Sequence, residues 1–179
     1  MLIHSASQVL TLAGGPQRGT AFGGAQLGTR GLIEDGAVLL REGAVVAVGP
    51  SAELRAAHPN EDSYDASGRV VMPAFVDAHS HPIWAGDRAA EFELRQLGKS
   101  YLEVLAAGGG ILSTVRATRA ATLEQLHAET EARLQRMFAH GSATIEAKSG
   151  YGLSLESELR LLEVLLALDA QGPWDLAIT

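Results

Sequence analysis

The sequence predicts an α/β protein in two parts: a small β-sandwich-like unit over residues 1–72 and, over residues 73–179, the opening of a parallel sheet with helices between its strands. Three observations predict it. Short strand-like runs broken by glycine turns fill the first part. An apolar run over residues 70–81 closes on His79-Ser80-His81. Beyond it, strand-like runs alternate with long segments of helical periodicity.

Taken in order, residues 7–12 read as a strand and 13–30 as a glycine-rich loop. Residues 36–41 and 44–48 form a hairpin signal around Glu42-Gly43, because glycine supplies the positive φ of a tight turn. Ser51 starts a short capped helix at 51–54, and Asp65-Ala66-Ser67-Gly68 is a turn ahead of the strand at 70–81. That strand is apolar almost to its end, as expected of a parallel strand buried on both faces. Residues 122–140 predict an amphipathic helix: Leu123, Leu126, Ala132, Leu134, Met137 and Phe138 recur at helical spacing, and Gly141 is its stop signal. A second strand follows over 142–147. The next helix opens at Ser154 or Ser157 and runs to residue 168, with Glu156, Glu158 and Glu163 on its exposed side, and a third strand starts at Asp175. Strand, helix, strand, helix, strand is the order of a βα barrel or an open α/β sheet. A barrel needs eight strands and roughly 250 residues, so only its opening is expected here, and the uncapped run at Thr179 reads as a cut.

Composition narrows the function. With 179 residues, 46% hydrophobic and 20% charged, the chain reads as globular. A net charge of −7 without a basic block argues against nucleic acid or an anionic membrane and favours a small-molecule partner. The absence of cysteine excludes a disulfide framework and thiol catalysis. No run reaches the roughly 18 apolar residues of a membrane span, and Met1-Leu2-Ile3-His4 lacks the basic start of a secretory signal, so the expected location is cytoplasmic.

The chemistry concentrates at His79 and His81. Residues two apart on a strand point the same way, about 6.5–7 Å apart along the backbone, so both imidazoles can grip one ion. The bland alternative is a polar loop after a strand. Nitrogen ligands without thiolates point to catalytic zinc or iron rather than a closed structural zinc site. Glu146 and Lys148 alternate along the second strand and share a face, which predicts an ion pair or a positioning hydrogen bond rather than general-base work. Gly108-Gly109-Gly110 lacks the Gly-Lys-Ser/Thr of a phosphate loop and reads as a flexible active-site loop. His4, His58, His127 and His140 receive no role.

Several blocks carry a resemblance. Asp35-Gly36-Ala37-Val38-Leu39-Leu40 and Val76-Asp77-Ala78-His79-Ser80-His81 look like the start of an amidohydrolase-superfamily enzyme. Three more narrow it: Trp84-Ala85-Gly86-Asp87-Arg88, the run from Gly108-Gly109-Gly110 to Arg119, and Glu146-Ala147-Lys148-Ser149-Gly150-Tyr151-Gly152-Leu153. Together they resemble the imidazolonepropionase family. The resemblance implies a (β/α)8 TIM-type barrel of which this chain holds the first βα units. It implies one divalent ion per active site, zinc or iron, with His79 and His81 among its ligands. It also implies that Arg88 and Tyr151 contact substrate, with Tyr101 a weaker candidate.

The implied reaction is hydrolysis of 4-imidazolone-5-propanoate to N-formimidoyl-L-glutamate in histidine degradation, and family habit suggests a homodimer. No catalytic acid or base falls within the chain. The resemblance puts the remaining ligands, a third histidine and an aspartate, beyond Thr179. Read without the resemblance, Arg88 is equally an exposed helix-start residue paired with Asp87 or Glu91, and Tyr151 a rim aromatic between two glycines. The alternatives are another hydrolase or deaminase of the same superfamily, or a non-catalytic truncated remnant.

Overall fold

The computed structural model describes residues 1–13 and 31–179. The expected glycine-rich loop therefore lies, from residue 14 onward, outside the described residues. Two compact units emerge, Met1–Pro73 and Ala74–Thr179.

The first unit is one mixed sheet in the order β3-β2-β1-β4, with β5 also on β1. Here β1 is Leu2–Leu10, β2 Leu32–Arg41, β3 Ala44–Pro50, β4 Ser63–Asp65 and β5 Val70–Val71. β1, β2 and β3 run antiparallel in turn, whereas β4 and β5 lie parallel to β1. The hairpin turn has Glu42 at φ 50° and Gly43 at φ 75°, the double positive φ that matches the twist of the flanking strands. Side chains alternating along β2 feed two apolar clusters: Val38 joins Ala6, Val9 and Ala66, while Ala37 and Leu39 join Leu2. Gly36 is required by close approach, since a Cβ there would fall 2.5 Å from Val9 Cγ2.

β1 begins at Leu2 rather than Ser7. Its register shifts between Ile3 and Ala6, where Ser5 takes φ 57°, and such a bulge breaks the period-two pattern that marks a strand. Ser51, expected as a helix cap, is instead the first residue of α1 (Ser51–Ala57), behind Pro50, which makes no side-chain cap bond. Its buried hydroxyl accepts the N–H of Ser5 at 2.9 Å, satisfying a donor that the bulge removes from the ladder.

The second unit has three parallel strands in the order β6-β7-β8: Phe75–Ser80, Ser142–Ala147 and Asp175–Ile178. Between β6 and β7 the chain makes α2 (Ala89–Gln96), α3 (Tyr101–Ala106), α4 (Ile111–Ala120) and α5 (Leu123–Ala139); α6 (Leu155–Gln171) leads to β8. The core is built from Leu126 and Leu134 of α5 and Leu161, Val164, Leu165 and Leu168 of α6. They pack with Ile145, Ala147 and Leu176 of the sheet and with Ile83, Ala85, Ala121 and Trp174. Thr122 caps α5 by accepting Gln125 N–H, Gly141 follows that helix at φ 98°, and Ser154 rather than Ser157 caps α6. Leu123 and Phe138, expected inside, stand partly exposed, and Thr130 is buried in their stead.

The run at 70–81 is not one strand. Val70–Val71 pairs with β1 and Phe75–Ser80 with β7, and Pro73 between them has no N–H to give either ladder. Nor is β6 buried on both faces: Phe75 is 54% and Val76 68% exposed. β6 is the edge strand of its sheet, where apolar composition alone does not secure a covering layer. Helices α2, α3 and α4 were not legible in the sequence reading, although Ser100-x-x-Glu103 is a capping box whose two reciprocal bonds are both made.

Candidate active site

The candidate side chains His79, His81 and Tyr151 gather where β6 and β7 end. His79 lies near the carboxyl end of β6 and His81 just past it, with ring centroids 5.5 Å apart at an interplanar angle of 75°. Imidazoles bound to one tetrahedral ion at about 2.0–2.1 Å place their centroids roughly 5 Å apart, so the pair fits two corners of such a site. His79 is the more open of the two, its side chain 69% exposed, and His81 Nδ1 is buried without a hydrogen-bond partner. Among the described residues no third His, Cys, Asp or Glu completes a metal cluster. Glu146 Oε2 stands 3.7 Å from His79 Nδ1, while Oε1 pairs with Lys148 Nζ, just past the end of β7, at 3.0 Å, the ion pair being one of the two expected arrangements.

The chain beyond His81 is held by α5. The Arg133 guanidinium lies 3.7 Å over the Trp84 ring and donates to the carbonyls of Pro82 and Trp84 as well as to Glu129. Burial pulls its pKa down against the pull of Glu129. Asp87 Oδ1 then takes the N–H of Ala89 at the start of α2, so Asp87, rather than Arg88, supplies the side-chain bond there.

Arg88 is paired with Glu91. Its Nε and Nη2 both donate to Glu91 Oε2, at 2.8 and 2.5 Å. The Glu91 bond is the main reason that the guanidinium pKa is raised; Tyr101 and Tyr151 add weaker electrostatic contributions of the same sign. The Glu91 carboxyl, bonded by Arg88 and by Gly110 and Ser113, is held below the usual carboxylate range.

Tyr151 sits on the loop after β7, its ring centroid 5.6 Å from that of His81. A Cβ on the preceding Gly150 would come 3.3 Å from His81 Cε1, and Gly150 has φ 124°. This loop is fastened by Glu158, which accepts the N–H groups of Gly150, Gly152 and Leu153 at 2.7–2.9 Å, and by Arg119 Nε, which donates to Gly152 O at 2.6 Å. Glu158 is thus turned inward, not outward as the helix pattern predicts. Tyr101 opens α3, 59% exposed, with its hydroxyl beside Gly110. The structure therefore brings His79, His81 and Tyr151 together, whereas Arg88 is bonded to Glu91. Sequence pattern offers Glu91 only as one possible partner of Arg88, puts Glu158 on an exposed face and gives Arg119 no role, because the links of Glu91 to Gly110 and Ser113 and of Arg119 to Gly152 depend on packing between distant elements.

Comparison with known proteins gives first the fold class. The chain is similar to the solved structure of E. coli guanine deaminase, at 18% identity and TM-score 0.62, covering 94% of this chain and 34% of that one. It is similar also to a variant of atrazine chlorohydrolase from Arthrobacter aurescens TC1 complexed with zinc and atraton, at 17% identity and TM-score 0.52, covering 93% and 33%. The protein is thus α/β, with one mixed and one parallel sheet, and shares the fold of these chains over its length.

The sequence likeness is narrower. Residues 36–60 match the family described as imidazolonepropionase-like composite domain, bacteria. The whole chain is 46% identical to 41% of the imidazolonepropionase of Chloroflexus aggregans. The resemblance to imidazolonepropionases thus extends over the full chain, which spans about two fifths of the length of the relatives it matches.

Proposed function

We propose that this chain furnishes part of the active site of an imidazolonepropionase, a metal-dependent cyclic amidohydrolase that opens 4-imidazolone-5-propanoate to N-formimidoyl-L-glutamate. On this reading residues 1–72 are a composite β unit and 73–179 the first βα units of a (β/α)8 barrel. The observation that carries it is the convergence of His79, His81 and Tyr151 at the carboxyl end of β6, the end at which barrel enzymes place their chemistry. The 46% identity across the chain supports the substrate.

His79 and His81 supply two ligands to one divalent ion, zinc or iron. Such an ion, when bound, lowers the pKa of its water and polarises a carbonyl oxygen. The chain's own residues bind and orient. Arg88 presents a charged fork to the propionate carboxylate, Tyr151 packs over the ring beside His81, and Tyr101 borders the Arg88 side. A deaminase of related fold is the second reading, favoured by the likeness to guanine deaminase; it has no use for a carboxylate-binding arginine. A cytoplasmic homodimer fits the family, and no helix among the described residues is long and apolar enough to cross a membrane.

The test is zinc titration followed by histidine NMR. Zinc is expected to shift the ring signals of His79 and His81 together and to lose that effect in His81→Ala. Independent shifts, or none, overturn the ligand assignment. Hydrolysis assays on the enzyme, with and without the propionate arm on the substrate, separate the two reactions.

A further inference from the structure

We propose that Glu91 is the positioning residue for Arg88, dividing its carboxylate so that one end of the guanidinium is left to receive a ligand carboxylate. The proposal rests on the reading of Arg88 given above. Glu91 Oε2 takes both Nε–H and Nη2–H of Arg88. That leaves the fork between Nη1 and Nη2, and Nη1 has no hydrogen-bond partner among the described residues. Oε1 meanwhile accepts the N–H of Gly110 at 2.9 Å and the hydroxyl of Ser113 at 3.0 Å.

Glu91 is therefore anchored at its far oxygen by the start of α4, with its side chain only 13% exposed, while Arg88 stays 46% exposed. An anchored anion beside a half-exposed cation fixes the direction in which the planar fork faces, and bidentate recognition depends on that direction. The same geometry gives the triple glycine a task. A Cβ on Gly109 would lie 3.0 Å from Glu91 Cδ and 2.9 Å from Val104 Cγ1 and O, and Gly110 needs φ 77° to aim its N–H at Oε1. The ligand class is a short aliphatic carboxylate on a planar ring, reached from the exposed side of Arg88.

The experiment is NMR titration of this chain with 3-(imidazol-4-yl)propionate and, as the arm lacking the carboxylate, 4-propylimidazole. Wild type, Glu91→Gln, Arg88→Gln and the double variant are compared, with thermal melts to verify folding. Glu91→Gln is expected to weaken the carboxylate probe by about tenfold, part of the cost of one charge-assisted hydrogen bond. It should leave the carboxylate-free probe unchanged and add nothing in the Arg88→Gln background. Gly109→Ala, whose Cβ would press on Glu91 and on Val104, should act in the same direction, and Glu91→Asp should be intermediate. Carboxylate binding lost in Arg88→Gln but retained in Glu91→Gln and Gly109→Ala overturns the proposal alone, as does an equal Glu91→Gln effect with and without Arg88. A wild-type chain with no preference for the carboxylate probe overturns the reading of Arg88 and, with it, this one.

Discussion

Glu158 grips Tyr151 by its neighbours: the carboxylate on α6 accepts the N–H of Gly150 on one side of the tyrosine and of Gly152 on the other. Leu153 N–H adds a third bond. A tyrosine flanked by two glycines has little local reason to hold one position, so the order of this loop comes from a side chain that returns one helical turn into α6.

Substitution Glu158→Gln keeps one acceptor oxygen and turns an amide NH2 towards backbone donors. Unmet donors cost about 1–3 kcal/mol, here confined to the loop. Amide hydrogen exchange at residues 150–153 should quicken by tenfold or more while the α5 and α6 cores keep their protection. Unchanged loop exchange would show that Glu158 is not the fastener.

Acid should do the same. Partial burial pushes the Glu158 carboxyl up, but the bonds from Leu153, Ser149, Gly150 and Gly152 outweigh it and hold the pKa below the ordinary 4.5. A carboxyl depressed in the folded state stabilises fully above its unfolded value, and that contribution disappears as pH falls through the folded one. Loop protection is therefore expected to be flat above pH 5 and to drop below 4.5, with the drop absent in Glu158→Gln; a loss centred near neutrality would contradict this.

Leu165 is fully buried among α5, α6 and the sheet. Its replacement by alanine should cost about 2–5 kcal/mol, transfer and cavity together, read as a lower denaturant midpoint with an unchanged slope. A loss under 1 kcal/mol would mean that the second unit's core repacks freely.

Arg133→Lys preserves charge but not the fork. The planar group stacks on Trp84 while bonding two carbonyls and Glu129, a set that an ammonium cannot reproduce. Destabilisation of about 1–2 kcal/mol is expected, with Trp84 fluorescence shifting towards that of an exposed indole. Native-like emission and stability would assign the contact no weight.

The parts legible in the sequence were those with a strong period or a paired signal. The hairpin around Glu42-Gly43, the helix capped by Thr122 and stopped at Gly141, and the strand at 142–147 each announce themselves locally. Helices α2, α3 and α4 are short and interrupted by Gly98 and the triple glycine, so no window is long enough to show periodicity. The break at Pro73 was hidden by a run that stays apolar across it. The two-residue repeat of a strand is the reason to expect His79 and His81 on one side; the strand ends at Ser80, between them, and their ring centroids lie 5.5 Å apart. The anchoring of Arg88 by Glu91 was present only as one option beside Asp87. The link from Glu91 on to Gly110 joins residues whose proximity depends on how α2 and α4 pack.

Helix α4 is pinned at both extremities to groups proposed to bind ligand. Its first turn reaches Arg88 by way of Glu91, and its last turn reaches the Tyr151 loop through Arg119 and Gly152. Arg160 of α6 further holds the carbonyls of Arg119 and Ala121 at that end. Any axial slip of this one rod transmits to the cationic and the aromatic arm in concert, so the gap between them behaves as a caliper with a single rigid spine.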